Sequence, residues 1–263
     1  MTKQKIYQVD AFTDKVFSGN PAAVCPLEKW LDDETMLKIA AENNLAETAF
    51  YVKQENWFEI RWFTPVVEVD LCGHATLATA FVLFNYENYT GDTIEFYSPR
   101  SGILNVTKKG DFLILNFPAD NFEQVPLTNE MNSCFNLKPV AVYKGKTDYL
   151  FVFNQEMDIV NIRPNFIEIS KLNARGVIIT AKGNEVDFVS RFFAPQAGVN
   201  EDPVTGSAHT TLIPYWFRQL NKAAMTAIQL SERKGYLQCK YLNDRVEIGG
   251  KAKLYLMGEI FTA

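Results

Sequence analysis

Two short segments carry the residue types that could do chemistry. The first is Val69-Asp70-Leu71-Cys72-Gly73-His74-Ala75-Thr76, and the second is Glu201-Asp202-Pro203-Val204-Thr205-Gly206-Ser207-Ala208-His209. In each, a glycine follows an acidic residue and opens an uncharged segment of helical composition. A helix that begins there leaves first-turn N–H groups unpaired, and its dipole adds partial positive charge. Two facing corners of this kind make an anion site. The expected ligand is a small carboxylate, bound without a lysine or arginine clamp. Thr76 and Ser207 offer hydroxyl donors to it. The plainer alternative is that Gly73 and Gly206 only permit tight turns.

Other side chains could move protons. Glu47 lies in Leu45-Ala46-Glu47-Thr48-Ala49-Phe50, among small and apolar neighbours. A carboxyl group sheltered in that way can take and return a proton near neutrality; a strand-edge glutamate would only face water. His74, the first residue after Gly73, is placed to touch a substrate. Asp202 precedes Pro203, which biases it to an extended shape at the mouth of the second corner. It could fix a histidine tautomer, carry a proton, or cap the next turn. His209 falls inside the helix and is expected to be packed. Cys72 is a candidate thiol acid/base, but aligning the glycines sets Thr205 opposite it, which argues against racemisation by a pair of thiols.

The elements that must position these residues come in two similar sets. Arg61-Trp62-Phe63-Thr64-Pro65 leads into the first corner, and Arg191-Phe192-Phe193-Ala194-Pro195 leads into the second. The arginines are 130 residues apart and the glycines 133. That period is far too long for a solenoid repeat, so it reads as a duplicated domain with the site between its halves. The halves are expected at 1–120, joined by a last strand at about 252–263, and at 126–251. Asp32 and Asp33 open a helix whose Met36, Leu37, Ile39 and Ala40 form one apolar stripe. Trp57–Phe63 and the segments near 94–98, 103–107 and 112–117 read as strands. Ala75–Phe84 carries no charge on any face, which places that helix inside a curved sheet. Residues to about Pro126 read as a linker, and a helix fits Asn165–Leu172. Pro214 removes a backbone donor and should kink or shorten the second buried helix.

A formal net charge of −5 without any basic run argues against nucleic acid and anionic membranes as partners. Four cysteines without CxxC spacing, and only two histidines, predict no metal site and no metal cofactor. No apolar run is long enough to span a bilayer, and the first residues lack a signal core, so a reduced cytoplasmic protein is expected.

Taken together, several segments resemble the phenazine-biosynthesis isomerase-like (PhzF-like) family, within the diaminopimelate epimerase fold. They are Asp10-Ala11-Phe12 with Phe17-Ser18-Gly19-Asn20-Pro21-Ala22-Ala23-Val24, then Asn44 through Phe50, Cys72 through Thr76, and Phe192 onward through Ala208. The resemblance covers nearly the whole chain. It implies an α+β fold of two homologous domains, each a curved, mostly antiparallel sheet wrapped around a central buried helix. It implies a cofactor-independent isomerase in which Glu47 shuttles a proton. His74 and Asp202 would assist, and Gly73, Gly206 and Ser207 would hold substrate polar groups. The best-understood members act on a hydroxylated cyclohexadiene carboxylate, and a homodimer is consistent with the resemblance. A rival reading within enzymes is an amino-acid epimerase using Cys72; outside them, it is a non-catalytic small-carboxylate binding protein.

Overall fold

The computed structural model describes residues 2–262. In chain order the first elements are β1 (Thr2–Ala11), β2 (Asn20–Leu27), α1 (Asp33–Asn43), β3 (Glu47–Lys53), β4 (Phe58–Phe63), β5 (Glu68–Val69), α2 (Gly73–Asn85), β6 (Thr93–Ser98), β7 (Gly102–Lys109) and β8 (Phe112–Pro118). There follow β9 (Glu123–Val125), α3 (Asn129–Ser133), β10 (Ala141–Lys144), β11 (Asp148–Val152), α4 (Glu156–Asn161), α5 (Phe166–Ser170), β12 (Gly176–Lys182) and β13 (Phe188–Ala194). The chain ends with β14 (Val199–Asp202), α6 (Gly206–Leu220), β15 (Ala224–Gln229), β16 (Gly235–Tyr241), β17 (Arg245–Gly250) and β18 (Ala252–Thr262). Two compact units result, Met1–Asn116 with Gly249–Ala263, and Phe117–Ile248.

In the first unit β1 pairs antiparallel with both β18 and β2. β2 runs parallel to β3, β3 antiparallel to β4, β4 parallel to β6, and β6, β7 and β8 form a meander. β2 and β3 are buried on both faces because a helix covers each. α1 starts where the Asp32 side chain accepts the Thr35 N–H at 2.8 Å, and ends at Asn44 in a left-handed conformation. Its Met36, Ile39 and Ala40 pack with Ala23, Cys25, Phe50, Val52 and Phe63. Strand alternation turns Ala22, Val24 and Ala49 to the other side. There α2, uncharged throughout, packs against β1, β2 and β3. This is the expected helix inside a curved sheet.

The second unit repeats the plan. β11 runs parallel to β12, β12 antiparallel to β13, β13 parallel to β15, and β15 antiparallel to β16. Its α6 packs against β11 and β16. The outer layer differs: instead of one helix, the short α3, α4 and α5 contribute Met131, Ile159 and Ile169 to a core with Phe151, Ile179 and Phe193. α4 was not anticipated. The stretch read as a linker contains β9, which pairs with β10.

Pro214 does not shorten its helix. α6 continues through it to Leu220. A proline leaves the carbonyl four residues back without its helical donor. Here that carbonyl, on Thr210, accepts the Asp120 N–H at 3.1 Å, and the Thr211 hydroxyl donates to Asp120 Oδ2 at 2.8 Å. A strand-like strap outside the helix thus replaces the missing bond. Among the described residues no helix is long and apolar enough to cross a membrane.

Candidate active site

Both corners are pinned by an arginine–glutamate pair. In the first unit Arg61, on β4, donates from Nε to Glu68 Oε1 at 2.7 Å and from Nη2 to Oε2 at 2.9 Å. In the second, Arg191 on β13 donates from Nε to Glu201 Oε1 at 2.7 Å and from Nη2 to Oε2 at 2.8 Å. Each guanidinium also lies over a phenylalanine of its own strand, Phe63 or Phe193. Bidentate forks of this kind fix direction as well as energy. They hold the loop that delivers each helix. The repeated acids are therefore Glu68 and Glu201; Asp70 and Asp202 are not equivalents. Asp70 is exposed and paired with Arg100, whereas Asp202 is half-buried and accepts a hydrogen bond from the Thr205 hydroxyl.

Neither Gly73 nor Gly206 has the positive φ that only glycine tolerates well. The tight-turn explanation for them fails on that point. Both are the first residues of their helices, and neither preceding residue, Cys72 or Thr205, caps the helix with its side chain. Their first-turn N–H groups are the donors an anion requires. Thr76, expected to help, is fully buried and spends its hydroxyl proton on the Cys72 carbonyl at 2.6 Å.

At the first corner the chain brings together Glu47, Cys72 and His74. Glu47 opens β3, and its side chain keeps 19% of its surface exposed while that of His74 keeps 6%. Glu47 Oε2 lies 3.1 Å from His74 Nε2, within ion-pair distance, yet off the line of a hydrogen bond, so that this buried oxygen accepts no proton from the protein. The Asn20 side-chain nitrogen lies 3.1 Å from His74 Nδ1. Cys72 Sγ lies 3.5 Å from the same nitrogen and 4.0 Å from Nε2. Burial pushes the Cys72 thiol up to about 11, with the Glu47 carboxylate adding to it. Burial alone would lower the His74 value. It lies instead well above that of an ordinary imidazole, because Cys72 and Glu47 both favour a charged ring.

The second corner is built differently. Ser207 Oγ accepts from Arg175 Nη2 at 3.0 Å, and Arg175 also forks onto the buried Asp148. An arginine thus stands beside Ser207 at this corner. Gln229, at the end of β15, accepts the Thr205 N–H at 2.9 Å and donates to the Asp202 carbonyl at 2.7 Å. It ties Asp202 to the start of α6. His209 is packed, as its position suggested. Its Nδ1 sits 2.8 Å from the Thr205 carbonyl, and burial holds its pKa down at about 4, so the ring is neutral.

The profile of the family described as "Phenazine biosynthesis-like protein" matches residues 9–258. The chain belongs to the phenazine biosynthesis-like family. An uncharacterized isomerase of Pseudomonas aeruginosa is 51% identical over 257 residues, which is 97% of this chain and 98% of that one. A crystal structure of a phenazine biosynthesis protein of the PhzF family from Enterococcus faecalis superposes with a TM-score of 0.97 at 49% identity, covering 99% of this chain and 100% of that one. A predicted epimerase from Pseudomonas aeruginosa, at 21% identity and a TM-score of 0.77, covers 99% of this chain and 100% of that one, and shares the fold. As its curated relatives are named isomerases, this phenazine biosynthesis-like chain is an enzyme of that class.

Within this family member, sequence reasoning passed over Asn20, Arg175 and Gln229. Asn20 lay in a quoted motif but was given no role of its own. Arg175 precedes Gly176, which occupies in the second unit the strand-opening position that Glu47 holds in the first. Following the repeat one strand further would have reached it. Gln229 had no signal beyond a polar residue ending an apolar strand.

Proposed function

We propose that the chain catalyses a cofactor-independent proton shift within a small unsaturated carboxylic acid, with Glu47 as the acid/base. The observation that carries this reading is the placement of Glu47 beside His74 at the N-terminus of α2. A carboxylate oxygen that accepts no proton from the protein stands there, 3.1 Å from a ring that favours the charged form. Glu47 would take a proton from one carbon of the substrate. The electron pair released from that C–H bond shifts along the conjugated system. The same proton is then returned to a second carbon, leaving the carboxylic acid isomerised and the enzyme unchanged. Holding both carbons beside one carboxylate replaces two solvent-borne steps with one enclosed event.

The N–H groups at Gly73 are suited to charge that spreads onto the substrate carboxylate, where one well-placed donor can contribute about 3 kcal/mol. We assign Asp202, Gly206 and Ser207 to the same reaction as further polar contacts, supported by the uncapped start of α6 and the Arg175–Ser207 pair. The test is incubation with a panel of small unsaturated acids in heavy water, read by mass. Glu47→Gln should lose about 10²–10⁴-fold in deuterium incorporation, the usual worth of general acid–base help, while still binding the ligand. Undiminished exchange in that variant sinks the assignment.

The rival use of Cys72 draws on its contact with His74. A thiol held at about 11 is poorly suited to accept a proton at neutral pH. Cys72→Ser therefore separates the two readings: exchange survives it if Glu47 is the base and vanishes if the sulfur is.

A further inference from the structure

Three donor atoms of different softness converge at the start of α2. One ligand atom each from Glu47, Cys72 and His74 lies within 4.8 Å of the others. We propose that these three side chains form a binding site for a thiophilic divalent cation of the zinc class, and that occupancy arrests the enzyme. The binding stands by itself; the arrest rests on the proton-transfer reading given above.

The donor set selects the ion. Thiolate and imidazole favour zinc-like cations over magnesium or calcium, which prefer oxygen. The spacing also fits. With bond lengths of about 2.3 Å to sulfur and about 2.0–2.2 Å to nitrogen and oxygen, a tetrahedral site has edges of roughly 3.4–3.6 Å. Cys72 Sγ stands 4.0 Å from His74 Nε2, and Glu47 Oε2 stands 3.1 Å from the same nitrogen. Those two gaps lie within roughly half an ångström of the required edges, and the sulfur, now nearer Nδ1 at 3.5 Å, must swing toward the Nε2 side to complete the site.

A ligating histidine commonly gives its second nitrogen to an outer partner. Asn20, 3.1 Å from Nδ1, fills that role once its amide turns to present the oxygen to an Nδ1–H. The sequence argument against a metal weighed CxxC spacing and the number of histidines, not donors brought together by the fold. Here the β2–β3 register and the α2 N-terminus bring Glu47 to residues 25 and 27 positions further along the chain.

Binding requires that the metal–sulfur bond replace the S–H bond of Cys72, with that proton released to solvent. A second proton leaves where the His74 ring is charged. Three protein ligands leave a fourth position for water. With Glu47 and His74 both engaged by the ion, neither can move a substrate proton.

The test uses the full chain, reduced and freed of metal. Co²⁺ is titrated in as a spectroscopic probe, and Zn²⁺ by calorimetry in two buffers of different ionisation heat. The site requires one equivalent bound, a thiolate-to-cobalt charge-transfer band, and proton release. Cys72→Ser should abolish the band, Cys134→Ser should keep it, and Glu47→Gln and His74→Gln should each weaken zinc at least about tenfold. Should Cys72→Ser fail to fold, X-ray absorption on the wild-type zinc complex must count one sulfur ligand. No sulfur ligand in the wild type, or a Cys72→Ser protein that binds as the wild type does, overturns the site. Deuterium exchange into the acid panel keeps the two readings apart. Exchange that depends on Glu47 without metal binding overturns only the site. Sulfur-ligated metal with exchange unimpaired overturns the arrest.

Discussion

The Glu47–His74 contact makes a prediction that needs no substrate. Glu47→Gln keeps the shape of the side chain and removes its charge. At 3.1 Å and an effective dielectric near 20, the gross attraction between a carboxylate and an imidazolium is about 5 kcal/mol. Much of that is offset by taking both groups out of water. If only a quarter survives, it still corresponds to about a tenfold change in proton affinity of the ring. In the wild type, burial lowers and the neighbours raise the His74 pKa, and the neighbours win. In the variant the Glu47 share is lost while Cys72 remains, and the His74 midpoint should fall by at least about tenfold in proton affinity. With two histidines in the chain, imidazole NMR resolves the case directly. His209, at about 4, serves as an internal reference, and His74→Asn identifies the remaining signal. Because the folded-state value of His74 lies above the ordinary 6.5, its contribution to stability is complete below that pH. It fades as pH climbs through the folded-state value, and Glu47→Gln should flatten this dependence. A His74 midpoint that moves less than tenfold in proton affinity, or that lies below the ordinary value in the wild type, refutes the reasoning.

Removing Arg191 as Arg191→Ala deprives Glu201 and two carbonyls, of Ile159 and Ile162, of their donors. The expected loss is about 3 kcal/mol in urea unfolding, since one partner of a largely buried pair is left behind. Asp120→Ala should cost about 1–3 kcal/mol by the same measurement, because it strips the acceptor from the buried Thr211 hydroxyl. Cys72, with its thiol at about 11, should react with iodoacetamide at pH 7 roughly a hundredfold more slowly than free cysteine, followed by mass. A rate equal to that of free cysteine would show an exposed thiolate instead.

Much of this architecture could be read from local signals. The absence of charge along Ala75–Phe84 and the paired Asp32 and Asp33 are properties of consecutive residues, and they announced α2 and the start of α1. The two Arg-to-Gly runs announced the duplication, and the bidentate Arg61–Glu68 and Arg191–Glu201 pairs are the feature that both runs share although their spacings differ. What stayed hidden depends on register between distant strands. Arg175 reaches Ser207 from 32 residues away, and Asn20 reaches His74 from 54. Pro214 misled for a related reason. The rule that proline breaks a helix assumes the orphaned carbonyl has nowhere to turn, and Asp120 supplies the donor from outside the helix. Glu47 was noticed for its apolar neighbours in sequence, but the polar neighbour 3.1 Å away is a histidine on another element.

The pairing of β1 with β18 bears on how the molecule is made. Lys3 and Glu259, joined by a salt bridge along that ladder, are 256 residues apart. β1 therefore waits, with one edge bare, until β18 has been made. Phe117–Ile248 emerges as an uninterrupted stretch and can close its own core during that interval. The unit that carries Glu47 and His74 is sealed after it, so a nascent chain stalled before β18 would hold a finished second half and an open first one.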